Sequence, residues 1–285
     1  RAITDATYRN GTGKPETFEE GNGSITVGIR RLQMTKLILH GCNGAMGQVI
    51  AQIASQDPEV QIVAGVDLNT RQQQDFPVYA SLKEVKEEAE VIIDFASAKA
   101  VDGLLDFSGE KKVPLVLCTT GLSETQLNKV EETACSVALL RSANMSLGVN
   151  ILLKLVAEAA KTLGTAGFDV EIVEKHHNQK MDAPSGTALA LAESVNHALE
   201  DSCHYVYDRT QRREKRDSKE IGISAVRGGT IVGEHDVMFA GKDEVVTFSH
   251  TAYSKAVFAK GAVEAAKFLA GKKPGLYTMA DVIGS

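Results

Sequence analysis

Residues 174–187 carry the densest group of reactive side chains in the chain, with the sequence Glu-Lys-His-His-Asn-Gln-Lys-Met-Asp-Ala-Pro-Ser-Gly-Thr. A histidine can donate a proton near neutral pH, and protonated His and Lys side chains attract anions. His176, His177 and Lys180 are therefore candidate proton donors and anion-binding residues. Adjacent histidines do not match the i, i+4 spacing of helical zinc ligands, and no cysteine or third histidine is near in the sequence. The segment therefore predicts no metal site.

The same segment ends where a helix is predicted to begin, with Ser185 as its N-cap. The first N–H groups of a helix lack intrahelical acceptors and lie at the positive end of the helix dipole, so Gly186 and Thr187 can bind a carboxylate. The alternative interpretation is an ordinary polar loop with a capping serine. The density of titratable groups favours a functional site.

A glycine-rich turn between a predicted strand and a predicted helix is the second candidate site. Glycines let backbone N–H groups approach a pyrophosphate, and the helix start adds positive potential. An acidic residue at the end of the following strand can bind the adenosine ribose hydroxyls. The spacing is G-x-x-G-x-x-G instead of G-x-G-x-x-G, and a turn that only permits tight packing is the alternative. We predict a dinucleotide site formed by Gly41, Gly44, Ala45, Met46, Gly47 and Asp67.

Two further turns follow predicted strands and reach the same edge of the sheet, where ligands bind in doubly wound folds. The first can offer hydroxyl groups and close backbone to a nicotinamide, although an ordinary strand-to-helix turn is an equal alternative. The second also begins the next part of the chain and is a candidate hinge. Their predicted cofactor-binding residues are Thr119, Thr120 and Gly121, and then Ala143, Asn144 and Met145.

The apolar pattern predicts an α/β fold in two parts. From Lys36 onward, strands alternate with helices, which predicts a doubly wound parallel sheet of the Rossmann type. After Asn144 come a long helix, a strand, an Ala-rich helix and three successive strands, which predict an antiparallel layer and a second, α+β domain. The predicted strands are residues 36–40, 60–66, 91–95, 114–118, 137–140, 169–175, 221–226, 230–239 and 245–251. The predicted helices include a short charged one at residues 83–89 and the long one at residues 147–163, and the polar residues 201–220 are expected to form a loop.

Composition excludes several classes of protein. The chain has 285 residues, of which 43% are hydrophobic and 24% charged, a balance typical of globular proteins. Its net charge of −6 makes nucleic acid an unfavourable partner, and no apolar run approaches the roughly 18 residues that span a bilayer. The four cysteines form no C-x-x-C pair, which favours free thiols in a reducing cytoplasm. Residues 1–33 show no sustained pattern and are interpreted as a leader or remnant outside the fold.

Residues 174–188 match the signature E-x-H-H-x-x-K-x-D-A-P-S-G-T-A at every fixed position. From about residue 34 the chain resembles the dihydrodipicolinate reductases of bacterial lysine biosynthesis, which are also called 4-hydroxy-tetrahydrodipicolinate reductases. The resemblance includes the glycine turn, the Thr-Thr-Gly turn and residues 224–239 and 250–261. The resemblance implies a dinucleotide-binding domain at 34–144 and a substrate-binding and tetramerisation domain at 145–255. The last predicted helix, which begins at residue 256, could return to either domain, and we expect this C-terminal helix, at about 256–285, to return to the first.

The resemblance also implies roles for individual residues. His176 stands at the position of the family's proposed proton donor, and Lys180 at that of a catalytic and substrate-binding lysine. His177, Gly186 and Thr187 occupy the positions that hold the substrate carboxylates.

Two departures from the family bear on the choice of cofactor. Ala45 stands where many members carry an Arg that contacts cofactor phosphate, and Leu68 and Asn69 follow Asp67 where some members carry Lys or Arg. Both changes weaken the expected binding of a 2′-phosphate, so NADH is the expected cofactor, with NADPH usable through Arg71. Lys255 replaces an Arg of some members, which is a minor change.

The expected function is therefore NAD(P)H-dependent reduction of a cyclic imine dicarboxylate, dihydrodipicolinate, by a cytoplasmic homotetramer that binds neither membrane nor nucleic acid. One alternative is another NAD(P)-linked oxidoreductase on the same scaffold, such as an amino-acid dehydrogenase. A second is a non-catalytic nucleotide sensor, which would be expected to lose the acid and the lysine. The presence of both His176 and Lys180 argues against the sensor.

Overall fold

The computed structural model describes residues 34–71, 74–142 and 144–284. The predicted leader, residues 1–33, and the predicted cofactor residue Ala143 lie outside these ranges. Within them the chain forms twelve strands: Thr35–His40 (β1), Val60–Val66 (β2), Val78–Tyr79 (β3), Val91–Asp94 (β4), Leu115–Leu117 (β5), Ala138–Arg141 (β6), Asp169–His176 (β7), His204–Tyr207 (β8), Glu220–Arg227 (β9), Gly233–Ala240 (β10), Val245–Ala252 (β11) and Gly275–Tyr277 (β12). The helices are Ala45–Gln56 (α1), Val101–Lys111 (α2), Glu124–Ala134 (α3), Leu147–Leu163 (α4), Gly186–Ala198 (α5), Ala256–Leu269 (α6) and Met279–Ile283 (α7).

The first sheet has seven parallel strands in the order β12-β6-β5-β4-β1-β2-β3. Its central strands are mostly apolar, and all four residues of β4 are buried, because helices cover both faces. The strand order reverses at β1, which lies between β2 and β4. In open α/β sheets ligands bind at such a switch point, outside the carboxyl ends of the strands. This sheet confirms the predicted Rossmann-type fold.

The second sheet has five strands in the order β11-β10-β7-β9-β8. Strand β10 runs antiparallel to β7 and β11, whereas β7, β9 and β8 run parallel to one another. The predicted α+β layer is present, but the prediction that it is antiparallel was only half right. Between β7 and β8 the chain crosses over through α5, and a helical crossover returns the chain in the same direction.

Helices α4 and α5 pack on one face of the second sheet, which explains the alternating burial along β7. Helix α6 instead packs into the core of the first sheet, where Ala259, Ala262 and Ala266 belong to the same buried cluster as Leu37 and Val116. The C-terminal helix thus joins the sheet that the N-terminal strands build.

Local differences from the predicted elements involve short segments. The helix expected at residues 83–89 is only a 3₁₀ turn, Leu82–Glu84, because its charged sequence offers too few apolar contacts to offset the cost of helix nucleation. Residues 201–220, expected as a loop, contain strand β8. Strand β12 and helix α7, of three and five residues, were not predicted. None of the helices in the described ranges is long and apolar enough to cross a bilayer.

Candidate functional site

The glycine turn after β1 has the backbone geometry that a dinucleotide requires. Gly41 has a φ of 82°, in the left-handed region that favours glycine. A Cβ on Gly47 would lie 2.2 Å from the carbonyl oxygen of Gly41, so glycine is needed for the helix to start this close to the turn. Helix α1 then begins at Ala45, directly after Gly44. Its first N–H groups lack intrahelical acceptors and can take a pyrophosphate.

Asp67, at the end of β2, lies beside this turn. One carboxylate oxygen accepts the N–H of Asn43 at 3.0 Å and the other accepts the N–H of Asn69 at 3.0 Å. The amide of Asn43 donates in turn to the carbonyl oxygens of Asn69 and Arg71, at 2.5 and 3.0 Å. These bonds fix the loop that follows β2 against the glycine turn. Each Asp67 oxygen keeps a second lone pair that can accept a ribose hydroxyl. Asp67 and the glycine turn therefore fit a dinucleotide.

Cys42, within the glycine turn, is a packing residue. It is fully buried, and burial, reinforced by the nearby Asp67 carboxylate, raises the pKa of its thiol to about 11. A thiol in that state is not a nucleophile at neutral pH.

A buried polar network joins three strand ends next to the glycine turn. Asp94, at the end of β4, is fully buried. Its carboxylate lies 2.7 Å from Nδ1 of His40 and accepts the Thr119 hydroxyl at 2.6 Å. The network places Thr119, and with it the exposed Thr120 and Gly121, at the carboxyl edge of the sheet. The sequence prediction identified Thr119 but not Asp94 or His40, because only the strand order brings them together.

Asn144 connects the first sheet to the second part of the chain. It lies in the turn between β6 and α4, and its side-chain amide donates to the hydroxyl of Thr187 at 3.0 Å. Its carbonyl side-chain oxygen accepts the N–H of Ser146 at 2.8 Å, which fixes the turn. Met145, between them, is buried in the core of the first sheet. A residue predicted to bind cofactor therefore touches a residue predicted to bind substrate.

His176 ends strand β7 and is buried against a carboxylate. Its Nδ1 lies 2.6 Å from the carboxylate of Glu174, which is itself fully buried. Arg227 donates to both oxygens of that carboxylate at 2.7 Å. The ring of His235 stands edge-on to that of His176, with centroids 5.1 Å apart. Burial, reinforced by the charge of His176, lowers the pKa of His235 to about 4, so His235 is neutral near pH 7.

The loop after β7 brings the other predicted residues to the same place. His177 accepts the Lys180 N–H at its carbonyl oxygen, 3.1 Å away, which curls the loop. The Lys180 ammonium lies 2.8 Å from a carboxylate oxygen of Asp182, and this hydrogen bond lowers the pKa of Asp182. Because Asp182 is largely exposed, a substrate carboxylate can compete with it for Lys180.

Helix α5 begins directly after this loop and is capped from two sides. The Ser185 hydroxyl accepts the N–H of Ala188 at 3.2 Å and lies 3.2 Å from Nε2 of His235, while the Ser185 N–H donates to Glu174 at 2.9 Å. The N–H groups of Gly186 and Thr187 remain for an anion, as in any first helical turn. A Cβ on Gly186 would meet no atom within 4 Å, so the space beside it is open.

The structure therefore groups the predicted residues that it describes into two neighbouring clusters, one at the glycine turn and one at the start of α5. Sequence reasoning missed Glu174 as a functional residue, although it lies inside the signature. Arg227 and His235 lie on β9 and β10 and join the cluster only through the strand pairing of the second sheet. Among residues 34–71, 74–142 and 144–284, no group of three His, Cys, Asp or Glu side chains is arranged to hold a metal ion.

Comparison with known proteins gives the same family for both halves of the chain. A family model described as dihydrodipicolinate reductase, N-terminus, matches residues 35–145, and one described as dihydrodipicolinate reductase, C-terminus, matches residues 148–283. The 4-hydroxy-tetrahydrodipicolinate reductase of Caldanaerobacter subterraneus subsp. tengcongensis is 58% identical over 250 residues, which are 88% of this chain and 98% of that protein.

The protein of the same name from Clostridium tetani is 44% identical over 252 residues, 88% of this chain and 98% of its own length. A solved structure, the dipicolinate-bound dihydrodipicolinate reductase from Paenisporosarcina sp. TG-14, superposes with a TM-score of 0.74 at 23% identity, and covers 87% of this chain and 99% of its own. That likeness shows the fold, and the two family models show the kinship. With the signature intact on the loop from β7 to α5, this chain belongs to the dihydrodipicolinate reductase family.

Proposed function

We propose that this chain catalyses the NAD(P)H-dependent reduction of dihydrodipicolinate, formed from 4-hydroxy-tetrahydrodipicolinate, to tetrahydrodipicolinate in lysine biosynthesis through diaminopimelate. The observation that carries the proposal is the contact between Asn144 and Thr187, which joins the cofactor edge of the first sheet to the anion-binding start of α5. A reductase needs the two sites next to each other, because the hydride passes directly from cofactor to substrate. The names of the relatives support the same reaction.

The substrate is a dicarboxylate, and the second cluster carries the groups to hold it. Lys180 and His177 supply positive potential, and the N–H groups of Gly186 and Thr187 supply directed donors. Together these groups fix the ring in one orientation and stabilise the negative charge that develops on it during reduction.

A nicotinamide cofactor, held by the glycine turn and Asp67, would supply a hydride to C4 of the conjugated ring. Electron density then moves toward the ring imine, and one proton completes the reduction. We assign that proton to His176, because Nδ1 is held by Glu174 and Nε2 is the ring nitrogen that remains to donate. Closure of the two parts of the chain over the substrate would exclude water from the site.

We propose NADH as the preferred cofactor and NADPH as a usable one. The Asp67 carboxylate suits two ribose hydroxyls and repels a 2′-phosphate. Ala45, Leu68 and Asn69 offer no cation to offset that repulsion. Arg71 is the nearest basic residue in the sequence, and its backbone is already tied to the glycine turn through Asn43.

We also propose the assembly and organisation that the family resemblance implies. Residues 34–144 bind the cofactor, residues 145–255 bind the substrate and form the contacts of a homotetramer, and the C-terminal helix belongs with the first part. We place the enzyme in the cytoplasm, because all four cysteines are free, which suits a reducing compartment.

The test is NADH oxidation, followed by the loss of nicotinamide absorbance, with freshly made dihydrodipicolinate. We expect turnover with this substrate and none with 2-oxo acids plus ammonia, the substrates of an amino-acid dehydrogenase. Turnover only with the latter would establish the alternative oxidoreductase. Cofactor binding without turnover on either would establish a nucleotide sensor.

A further inference from the structure

We infer that Glu174 is a positioning residue for the reduction, because its buried carboxylate, held by Arg227, orients His176 and stabilises the protonated ring. The inference rests on the proposed function, in which His176 delivers the proton. It assigns a role to a residue of the signature that does not touch the substrate.

The Glu174 carboxylate is fully buried and accepts four hydrogen bonds, two on each oxygen. One oxygen takes Nδ1 of His176 at 2.6 Å and a guanidinium nitrogen of Arg227 at 2.7 Å. The other takes the N–H of Ser185 at 2.9 Å and the second Arg227 nitrogen at 2.7 Å. Burial raises the pKa of Glu174, but the bonds from Arg227, His176 and Ser185 outweigh it, so the pKa lies below its usual value and the group is ionised.

An ionised carboxylate at Nδ1 determines which ring nitrogen acts. Nδ1 must carry a hydrogen to donate to Glu174, which leaves Nε2 as the nitrogen that exchanges the catalytic proton. Nε2 lies 3.1 Å from where a Cβ would stand on Gly233, so this side of the ring faces a residue with no side chain. The short bond to Glu174 also fixes the plane of the ring.

Arg227 connects the Glu174 carboxylate to the loop that carries Lys180. Beside its two bonds to Glu174, its guanidinium donates to the carbonyl oxygen of Asp182 at 2.6 Å. The loop that carries Lys180 is thereby tied to the carboxylate that holds His176. One buried ion pair thus organises the acid, the loop and the start of α5.

The charges around His176 determine the direction of the pH effect. Arg227 on β9 and Lys180 on the loop are cationic and oppose protonation of the ring, while Asp182 partly offsets Lys180. His235 on β10 faces the ring directly, and His250 pairs with His235 from β11; burial lowers the pKa of both. Glu174 is the carboxylate in direct contact with His176, so its removal leaves the cations uncompensated.

The test uses Glu174→Gln, which keeps the side-chain volume and removes the charge. We expect the maximal rate to fall at least about tenfold, without exceeding the ~10²–10⁴-fold loss typical of removing a general acid. Because the acid must be protonated to act, and the buried carboxylate that favours its protonated form is gone, the alkaline limb of the rate profile should move to lower pH. Glu174→Asp keeps the charge, so its maximal rate should fall while the alkaline limb of its pH–rate profile stays at the parental position.

The double variant with His176→Gln separates positioning from structure. If Glu174 acts through His176, the double variant should be no more than about twofold slower than His176→Gln alone. Glu171→Gln is the matched control. Glu171 also has a carboxylate paired with an arginine, Arg216, but it lies on the opposite face of β7. This variant should leave the rate and the limb unchanged.

Three results would overturn the inference: a parental limb in Glu174→Gln, losses that multiply in the double variant, or a shifted limb in Glu174→Asp. Thermal unfolding and NADH binding show whether Glu174→Gln folds. If it does not, the alkaline limb of the pH–rate profile of Glu174→Asp still tests the inference. A parent enzyme that does not reduce dihydrodipicolinate would instead refute the proposed function, so the two failures are distinguishable.

Discussion

At the scale of single residues, the cluster at the start of α5 holds its cations Lys180 and Arg227 in different ways. Lys180 is paired with a largely exposed aspartate, an interaction that solvent weakens and that a substrate carboxylate can displace. Arg227, by contrast, is committed to a buried glutamate by two hydrogen bonds. Under the proposed function the two cations therefore have different tasks: Lys180 binds the substrate, and Arg227 holds the buried Glu174 carboxylate.

Lys180→Ala should lower turnover by about 10²–10³-fold, the loss expected when one charge-stabilising donor is removed. NADH binding should be unchanged, because the glycine turn and Asp67 lie on the first sheet. Steady-state kinetics and a fluorescence titration with NADH measure the two quantities. Lys175→Ala is the control, because this lysine pairs with Glu234 and Asp236 on the other face of β7. Loss of NADH binding in Lys180→Ala would contradict the proposed division into two domains.

The parent enzyme should prefer NADH over NADPH in kcat/KM, because the Asp67 carboxylate accepts bonds from both ribose hydroxyls and repels a 2′-phosphate. Asp67→Ala should shrink the difference, mainly by weakening NADH binding. The substitution also leaves the N–H groups of Asn43 and Asn69 without the carboxylate to which they donate in the parent. Kinetics with both cofactors at one fixed low salt concentration measure the preference. A parent that prefers NADPH would show that Arg71 or another cation overrides Asp67.

At the scale of elements, the first turn of α5 both stabilises the fold through its N-cap and forms part of the proposed substrate site. Ser185→Ala removes the N-cap bond to Ala188 and should cost about 1 kcal/mol of unfolding free energy. It should also raise KM for the substrate, because a frayed first turn no longer directs the N–H groups of Gly186 and Thr187. Urea unfolding and steady-state kinetics measure the two effects.

Thr278→Ala is the matched control for the Ser185 variant. Thr278 caps the short helix α7 through a capping box with Asp281, and helix α7 packs against α4 and α6. This variant should lose stability through its cap but keep the parental KM. An unchanged KM in Ser185→Ala would mean that the N–H groups of α5 do not bind the substrate.

Elements that depend on local sequence could be predicted, and their pairing could not. Strand β2 and helix α4 have the bounds that apolar periodicity gave, because each buries a face that the sequence marks. The mixed second sheet depends on which strands meet after α5, and nothing local records that. Very short strands such as β8 and β12 carry too few residues to show a period.

The same limit explains which site residues were found. His176 and Lys180 lie in one segment, so their spacing could be read directly. Arg227 is 53 residues from Glu174 in the sequence and becomes its partner only through the parallel register of β7 and β9. Asp94 meets His40 because β4 pairs with β1, which is a consequence of strand order.

At the scale of the whole molecule, buried histidines link the stability of the fold to pH. His235 packs beside His176 and against Ser185, and burial lowers its pKa to about 4 in the folded chain. In an unfolded chain a histidine titrates near 6.5. Between these values the unfolded chain binds a proton that the folded chain does not, so folding is favoured above about pH 6.5 and loses stability as the pH falls toward 4.

His235 should therefore contribute a loss of about 2 kcal/mol of unfolding free energy at about pH 5 relative to pH 7.5, and about 3 kcal/mol by pH 4. His235→Gln removes the titrating group and keeps a side chain that can bond to Ser185, so its stability should fall less over the same interval. Urea unfolding at fixed protein concentration and several pH values measures the difference. His250, whose pKa burial also lowers, is present in both proteins. Equal losses in the variant and the parent would show that His235 takes up a proton in the folded protein as readily as in the unfolded chain.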